Sequence, residues 1–588
     1  MNPTKNISTL QDSICLTQHI YPRSPLFNVG GYALIHGAIQ MPLLIKAITT
    51  VLEHTDVIET GYMGFNDMPL NSNANFIKYD IDVVDCSQQQ QAADVCLKWM
   101  HDDMQSVFDT GRCLLKLRLL KASDDKCYWY AKVHHVLFDG YAMALFFNNV
   151  SRLYTTWISG HTEADVPSFS YGKFIADELQ YKSSDQYQDD RRWWLERLGG
   201  TGTSAAFQSC VHANNRHTMS TQRLEIRIEA SLFYEITAFC KLYHCTAFHY
   251  FIAVLFVLHK RYNNQEALLL GVPVFNRSSK QFKETLGAFV NILPFSVPVE
   301  DDRVFSQLLP LVAAELKECY RHQRFPLYDM LKELDRKGNI YNVSFSYQKN
   351  SYNTSLGNAA AAITYLPPPE QQEDLFFHLL EYEDGADLTL ALDYAVDLFP
   401  EHVAKNILIH FKNLLKAALR TPDMAVNSLP YLTEGEESAL LDRFKVKSPG
   451  YDTGATIITC FEQQVAQSAE RTALVFKDSS FSYSSLDGHA NQLARYLQEH
   501  YRVSPGDLVG LQLERSEWQV ISILGVLKAG GAYVPIDPGY PEERISYITR
   551  DSGCKLVIDK TVLDHFLELR CRYSTAGLPL QAGPSDLA

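Results

Sequence analysis

His134-His135-Val136-Leu137-Phe138-Asp139-Gly140 is the stretch on which the reading of this chain turns. Just before it, residues 114–120 alternate apolar side chains with Lys116 and Arg118, as a half-buried strand does. Ser123-Asp124-Asp125-Lys126 then reads as a polar turn, and residues 127–133, rich in aromatic and branched side chains, as the returning strand. The histidine pair therefore falls where the chain leaves a sheet, a place where rigid scaffolds present reactive groups. Imidazole titrates near neutrality, so it can take a proton from an amine or hold the amine in place. The carboxylate of Asp139 can orient a histidine, or bind a cation and lock the loop. Gly140 permits a backbone turn that a side chain would forbid. On spacing alone, a catalytic role and a structural one, as paired core or metal-ligating histidines, stand side by side. A zinc site needs further ligands nearby, and the local sequence shows none.

Outward from this point the chain alternates helix and strand signals. Residues 41–54 read as a helix, with Pro42 in its first turn and Leu44, Ile48, Val51 and Leu52 on one stripe. Residues 246–259 are apolar on most sides, which predicts a buried helix, and residues 268–273 and 342–348 read as strands. The composition turns polar around 160–167, and 185–192 is charge-rich. A polar, acidic connection at 433–438 precedes Ser448-Pro449-Gly450-Tyr451-Asp452, which reads as a linker. Beyond it, Leu486, Ala490, Leu493, Ala494 and Leu497 form a helical stripe. Residues 508–513 read as a strand, 518–528 as a helix ended by Ala529-Gly530-Gly531, and 532–536 as a second strand. That order predicts an α/β unit with a parallel sheet. The expected organisation is two lobes, 1–175 and 176–432, a linker at 433–455 and an incomplete α/β domain at 456–588.

The 588 residues exceed what one core usually holds, and the hydrophobic fraction of 46% is that of a globular protein. The net charge of −15 argues against a nucleic-acid or anionic-membrane binder, though a local patch could still attract a phosphorylated cofactor. The 12 cysteines include no CxxC pair, as in a reduced cytoplasmic protein. No apolar signal core opens the chain, and the longest apolar run, 251–258, is too short to span a bilayer. A cytoplasmic protein with no metal is expected.

The segment 134–140 resembles the HHxxxDG signature of condensation domains of nonribosomal peptide synthetases, which share the chloramphenicol acetyltransferase fold. Further resemblances follow in that family's order. Residues 271–277 (Gly-Val-Pro-Val-Phe-Asn-Arg) resemble GxPxxNR, and residues 286–294 (Leu-Gly-Ala-Phe-Val-Asn-Ile-Leu-Pro) resemble GxFVNxLP. Residues 321–326 are similar to HQxxP and residues 343–348 to VxFxYQ; Asp387-Leu388-Thr389 and 393–399 resemble the closing segment. Two departures stand out. Residues 53–58 keep His54 of an RHExLR element but neither arginine, so that His54 reads as a helix-end histidine, and Leu10-Gln11-Asp12 matches its element poorly.

The resemblance implies a two-lobed α/β (α+β) fold with His135 as the catalytic histidine, in a tunnel between the lobes. There it acts either as general base or as a group that positions the amine and stabilises charge. His134, Asp139, Gly140 and Arg277 would be structural, with Asp139 and Arg277 paired, since a buried carboxylate needs a partner. Gly287, Asn291 and Tyr347 would lie near the substrate. Residues 481–486 and 527–538 resemble early adenylation-domain motifs; the phosphate loop that follows in that family is absent, so adenylation is not expected. A DxxxxD heterocyclisation pattern is also absent. Epimerisation domains follow a carrier domain and do not run into an adenylation domain. Tyr21-Pro22-Arg23-Ser24, Asn28-Val29-Gly30-Gly31 and Trp129-Tyr130-Ala131-Lys132-Val133 resemble starter domains of lipopeptide synthetases. The implied donor is acyl-CoA, and the acceptor an aminoacyl thioester on the phosphopantetheine arm of a downstream carrier domain, with no tightly bound cofactor. An elongation domain with a peptidyl donor and a noncatalytic carrier-docking platform are the alternatives.

Overall fold

The computed structural model describes residues 7–65, 76–161, 169–199, 207, 217–335, 340–349, 355–382, 385–444 and 454–588. These form two compact units, Met1–Leu440 and Leu441–Ala588. The strands of the first unit are β1 (Asn28–His36), β2 (Asp80–Asp85), β3 (Leu115–Lys121), β4 (Lys126–His134), β5 (Thr221–Ile228), β6 (Leu270–Val274), β7 (Asn291–Phe295), β8 (Val343–Lys349), β9 (Ser355–Leu356), β10 (Ala359–Leu366), β11 (Leu375–Glu381) and β12 (Leu388–Ala395). They build two six-stranded sheets, in the orders β2-β3-β4-β1-β10-β9 and β5-β12-β11-β8-β6-β7.

The β3–β4 hairpin forms where the alternation predicted it. Leu115, Leu117 and Leu119 point into a core shared with the helices Met41–Glu53 and Gly140–Ile158. Lys116 and Arg118 emerge on the other face, where Lys116 reaches Asp103 of the helix Ala92–Met104 at 2.5 Å. β4 lies between β3 and β1 and is buried along nearly its whole length, because helices cover both its faces. In the second sheet the helix Ala247–Asn263 starts at the Thr246 capping box and is the buried centre of the core. Glu401–Arg420 and Phe305–Arg321 pack on it, each with one apolar stripe.

Two strands, β9 and β10, depart from the expected boundary between the lobes. The 176–432 segment does not stay together: β10 returns to the first sheet and pairs antiparallel with β1, Gly30 opposite Leu366 through His36 opposite Ala360. The edge that β1 turns away from β4 offers unpaired backbone groups, and β10 satisfies them. Within the stretch expected as a linker, Glu434–Phe444 is a helix; residues 448–452 lie outside the described residues.

In the second unit, Leu508–Leu511 pairs in parallel with both Ala532–Pro535 and Leu556–Ile558. The helix Glu517–Ala529 makes the first crossover and ends at Gly530, whose φ of +94° only glycine adopts freely. No single helix among the described residues is long and apolar enough to cross a membrane.

Candidate active site

His134 and His135 leave β4 in opposite roles. His134 is the last residue of the strand, opposite Asn28 of β1, and its ring is enclosed by Phe27, Phe65 and Phe108. The Gln18 amide nitrogen donates to the carbonyls of Tyr21 (2.8 Å) and Ser24 (3.1 Å), which leaves its oxygen to face His134 Nε2 at 3.2 Å. On the other side of the ring, the Val136 N–H donates to His134 Nδ1 at 3.2 Å. These contacts require the tautomer protonated on Nε2 alone. Burial pushes its pKa down to about 3, so the ring is a neutral wedge.

The backbone of His135 is fixed by its N–H donating to the Phe27 carbonyl at 2.8 Å. Its side chain is half-buried, and Nδ1 has no hydrogen-bond partner among the described residues. Burial lowers its pKa; its own backbone carbonyl and the Asp139 charge pull the other way. Nδ1 is itself buried, so an amine could be met only by the other side of the ring; a neutral imidazole can receive an amine hydrogen.

Asp139 does not orient His135, because its oxygens are committed elsewhere. As N-cap of the helix Gly140–Ile158, its Oδ1 accepts from the Ala142 N–H at 2.7 Å. Its Oδ2 accepts from the Phe289 N–H at 2.9 Å, and Arg277 Nη2 reaches the two oxygens at 3.1 and 3.3 Å. The Arg277 side chain is wholly buried, donating also to the carbonyls of Phe282 (2.6 Å), Thr285 (2.5 Å) and Gly287 (3.1 Å). The Phe289 ring lies 3.9 Å from its guanidinium carbon. This bolt joins the loop after β4 to the β6–β7 connection.

Gly140 corrects an expectation. It has no positive φ, and a Cβ there would meet nothing within 4 Å. It opens the helix, and neither a positive φ nor a close approach calls for glycine there. Gly287, Asn291 and Tyr347, expected near substrate, are each engaged with the protein itself. A Cβ on Gly287 would come within 2.2 Å of Tyr171 Cδ2. Asn291 donates to the carbonyls of Gln323 and Phe325, both at 2.9 Å, and accepts from the Leu327 N–H. The Tyr347 hydroxyl bonds Glu381. His54 caps a helix end, its Nδ1 at 2.7 Å from the Thr50 carbonyl.

Two glutamines support the histidine loop without any role expected for them from the sequence. Gln11 forms a capping box with Ser8, and its side-chain nitrogen holds the Val136 carbonyl at 3.0 Å, next to His135. The Ser-x-x-Gln spacing at Ser8 was the available signal. Nothing local marks Gln18, the other one.

Residues 3–441 match the family model of the condensation domain, and residues 461–576 that of the AMP-binding enzymes. Surfactin synthase subunit 1 of Bacillus subtilis (strain 168) is 25% identical over 567 residues, 94% of this chain and 16% of that protein. Tyrocidine synthase 2 of Brevibacillus parabrevis is 25% identical over 604 residues, covering 99% and 16%. The chain thus spans less than a quarter of the length of these relatives. Among solved structures, a variant of the starter condensation domain of rhizomide synthetase, in complex with C8-CoA and Leu-SNAC, superposes with a TM-score of 0.63 at 20% identity, covering 73% of this chain and 97% of that one. The first condensation domain of the calcium-dependent antibiotic synthetase gives 0.64 at 17% identity, covering 73% and 98%. With most of its length matched in this way, the chain belongs to the condensation-domain family, the amide-forming enzymes of nonribosomal peptide synthetases, and continues into a partial AMP-binding domain.

Proposed function

We propose that this chain joins a fatty acyl thioester, delivered as acyl-CoA, to the amino group of an aminoacyl thioester on the phosphopantetheine arm of a downstream carrier domain, starting a lipopeptide. What supports the chemistry is the half-buried His135, whose pKa burial lowers, on a loop that the Asp139–Arg277 pair ties to the β6–β7 connection. The amine attacks the thioester carbonyl as the free base; the carbon–nitrogen bond forms, the carbon–sulfur bond breaks, and the thiol leaves with a proton. His135 takes the hydrogen that the amine gives up, or orients the amine through it. Fixing donor and acceptor end to end removes a further entropic barrier. The bolt of Asp139 and Arg277 keeps the histidine loop in place without taking part in proton transfer.

The choice of acyl-CoA rests on the resemblance of residues 21–31 and 129–133 to starter domains. All cysteines among the described residues are free thiols, which suits the reducing cytoplasm. The test is condensation of acyl-CoAs of graded length with one aminoacyl carrier domain, with no upstream carrier protein present. Amide should form, and apparent affinity should rise about fourfold per methylene, from about 0.8 kcal/mol each, until the pocket is full. Product only from a carrier-bound peptidyl donor would make this an elongation domain, and product from neither donor would leave a docking platform.

A further inference from the structure

Lys132 stands on β4 two residues before His134, on the same face of the strand, and its side chain is 2% exposed. Its Nζ donates to the carbonyls of Asp103 (2.8 Å) and Ser106 (3.1 Å) and to Ser106 Oγ (2.7 Å). The Ser106 hydroxyl spends its own hydrogen on the Asp103 carbonyl at 2.7 Å, so Lys132 supplies all three hydrogens and is an ammonium. The Asp103 carboxylate lies 3.3 Å away, itself held by Lys116 and by the Tyr130 hydroxyl at 2.9 Å. The ammonium thus closes the C-terminal end of the helix Ala92–Met104, where the helix dipole favours a cation. Gly30, opposite Lys132 on β1, lets that helix end approach, since a Cβ there would collide with Met104 Sδ.

This grip holds the segment that follows the helix. Gln105, Ser106 and Val107 are exposed, and Asn28 ties the same segment to β1 through the carbonyls of Met104 (2.7 Å) and Ser106 (2.8 Å). Phe108 comes next. Its ring lies 4.7 Å from Lys132 Nζ and 6.0 Å from the His134 ring, of which it forms one wall. A buried ion pair is a poor source of stability; what it can supply is a fixed geometry. That geometry bears on His135 because His134 Nδ1 accepts the Val136 N–H, and a proton on that nitrogen would break the bond.

We propose that Lys132 is a positioning residue for amide formation: through the 103–108 segment it keeps Phe108 closed over His134 and thereby fixes the loop that carries His135. With the wall in place, burial holds the His134 pKa at about 3. The charged and titratable groups around His134 are His135, Lys132 and, behind Lys132, Asp103 with Lys116 and Tyr130. The other elements face it with Gln18, Phe27, Asn28 and Phe65, none of which titrates. Loss of the cation or of the ring moves the His134 pKa upward, toward its ordinary value. The link to amide formation rests on the role of His135 proposed above; the hold of Lys132 on His134 does not.

Lys132→Met and Phe108→Ala test this in the full chain. Lys132→Met leaves Asp103 with Lys116 and Tyr130, and Phe108→Ala changes no buried charge, so one variant decides the matter if the other does not fold. With His134 at an ordinary pKa of about 6.5, about nine in ten rings are protonated at pH 5.5 and about one in thirty at pH 8. The kcat of amide formation relative to wild type should therefore fall about tenfold at pH 5.5 and stay within about twofold at pH 8, with both KM values within about twofold. Independently of activity, the urea midpoint of both variants should fall less steeply than that of wild type between pH 7 and pH 5, because a His134 pKa nearer its unfolded value leaves less stability to lose to acid. A kcat ratio that does not change with pH, or an acid slope equal to that of wild type in a folded variant, overturns the proposal and makes Lys132 a helix cap only. A wild type that forms no amide refutes the role of His135, and the urea slopes still decide whether Lys132 guards His134.

Discussion

Replacing Arg277 with Met removes the charge from a closed box while keeping most of the volume. The wild-type guanidinium, wholly buried, donates to Asp139 and to the carbonyls of Phe282, Thr285 and Gly287. In Arg277→Met the carboxylate retains only the Ala142 and Phe289 N–H groups, and three carbonyl oxygens lose a donor. Breaking a buried pair from one side costs about 3–5 kcal/mol, and the orphaned carbonyls place this variant at the upper end. Asp139→Asn is milder. An Asn oxygen still caps the helix, and Arg277 keeps its three carbonyls and the face of Phe289, so about 1.5–3 kcal/mol is expected, the worth of a hydrogen bond to a charged group. The double variant lacks both charges, and it should be more stable than the sum of the singles implies, by about 1–3 kcal/mol. Urea unfolding of the four proteins at pH 7, followed through the transition of the first unit, gives the cycle directly. Additivity of the singles within about 0.5 kcal/mol would show that the two side chains do not act as a pair and refute the bolt.

Three other outcomes follow from the same geometry. His135→Ala should keep the melting temperature and slow single-turnover amide formation by about 10²–10⁴-fold; wild-type turnover with saturating substrates removes His135 from the mechanism. His134 has a folded pKa of about 3 against an ordinary value near 6.5. Its contribution to stability is therefore complete above pH 6.5 and is lost as the pH falls toward 3, by about 3 kcal/mol at pH 4, so the urea midpoint of wild type should fall more steeply with acid than that of His134→Asn, and parallel profiles contradict the neutral wedge. Gly287→Ala drives a methyl group against Tyr171, which cannot retreat because its hydroxyl is held between Ser8 Oγ and the Ala288 carbonyl; a loss of about 1–3 kcal/mol is expected, and an unchanged thermal midpoint argues against the close approach.

Local pattern made much of this fold legible. The β3–β4 hairpin follows from the alternation around Lys116 and Arg118, and the crossover 508–535 from a run of strand, helix and strand with glycine at the helix end. The neighbourhood of His135 was legible through its ordered motifs. What escaped was set by pairing between distant segments. Nothing in the alanine-rich 359–366 stretch says that it joins β1, because register is decided by which edge is free. Gln18 carries no periodic signature, yet it fixes the tautomer of His134. Lys132 reads as an interior strand residue, and nothing local marks the helix end at Asp103 and Ser106 that its ammonium closes. The role read for Gly140 failed for a different reason: its φ is not positive and a Cβ would meet nothing within 4 Å, so the glycine follows from no local backbone or packing demand.

The return of β10 to the first sheet constrains how the chain reaches its native state. During synthesis β1, β3 and β4 emerge early, but the free edge of β1 waits for a partner that ends at Leu366. Closing so long a loop is slow, and until it closes the edge is open to pairing with other chains. A chain cut between residues 175 and 176 never receives that partner. The first lobe therefore cannot be isolated as a folding unit by dividing the sequence there, and splitting or swapping this protein requires cut points that keep β10 with β1.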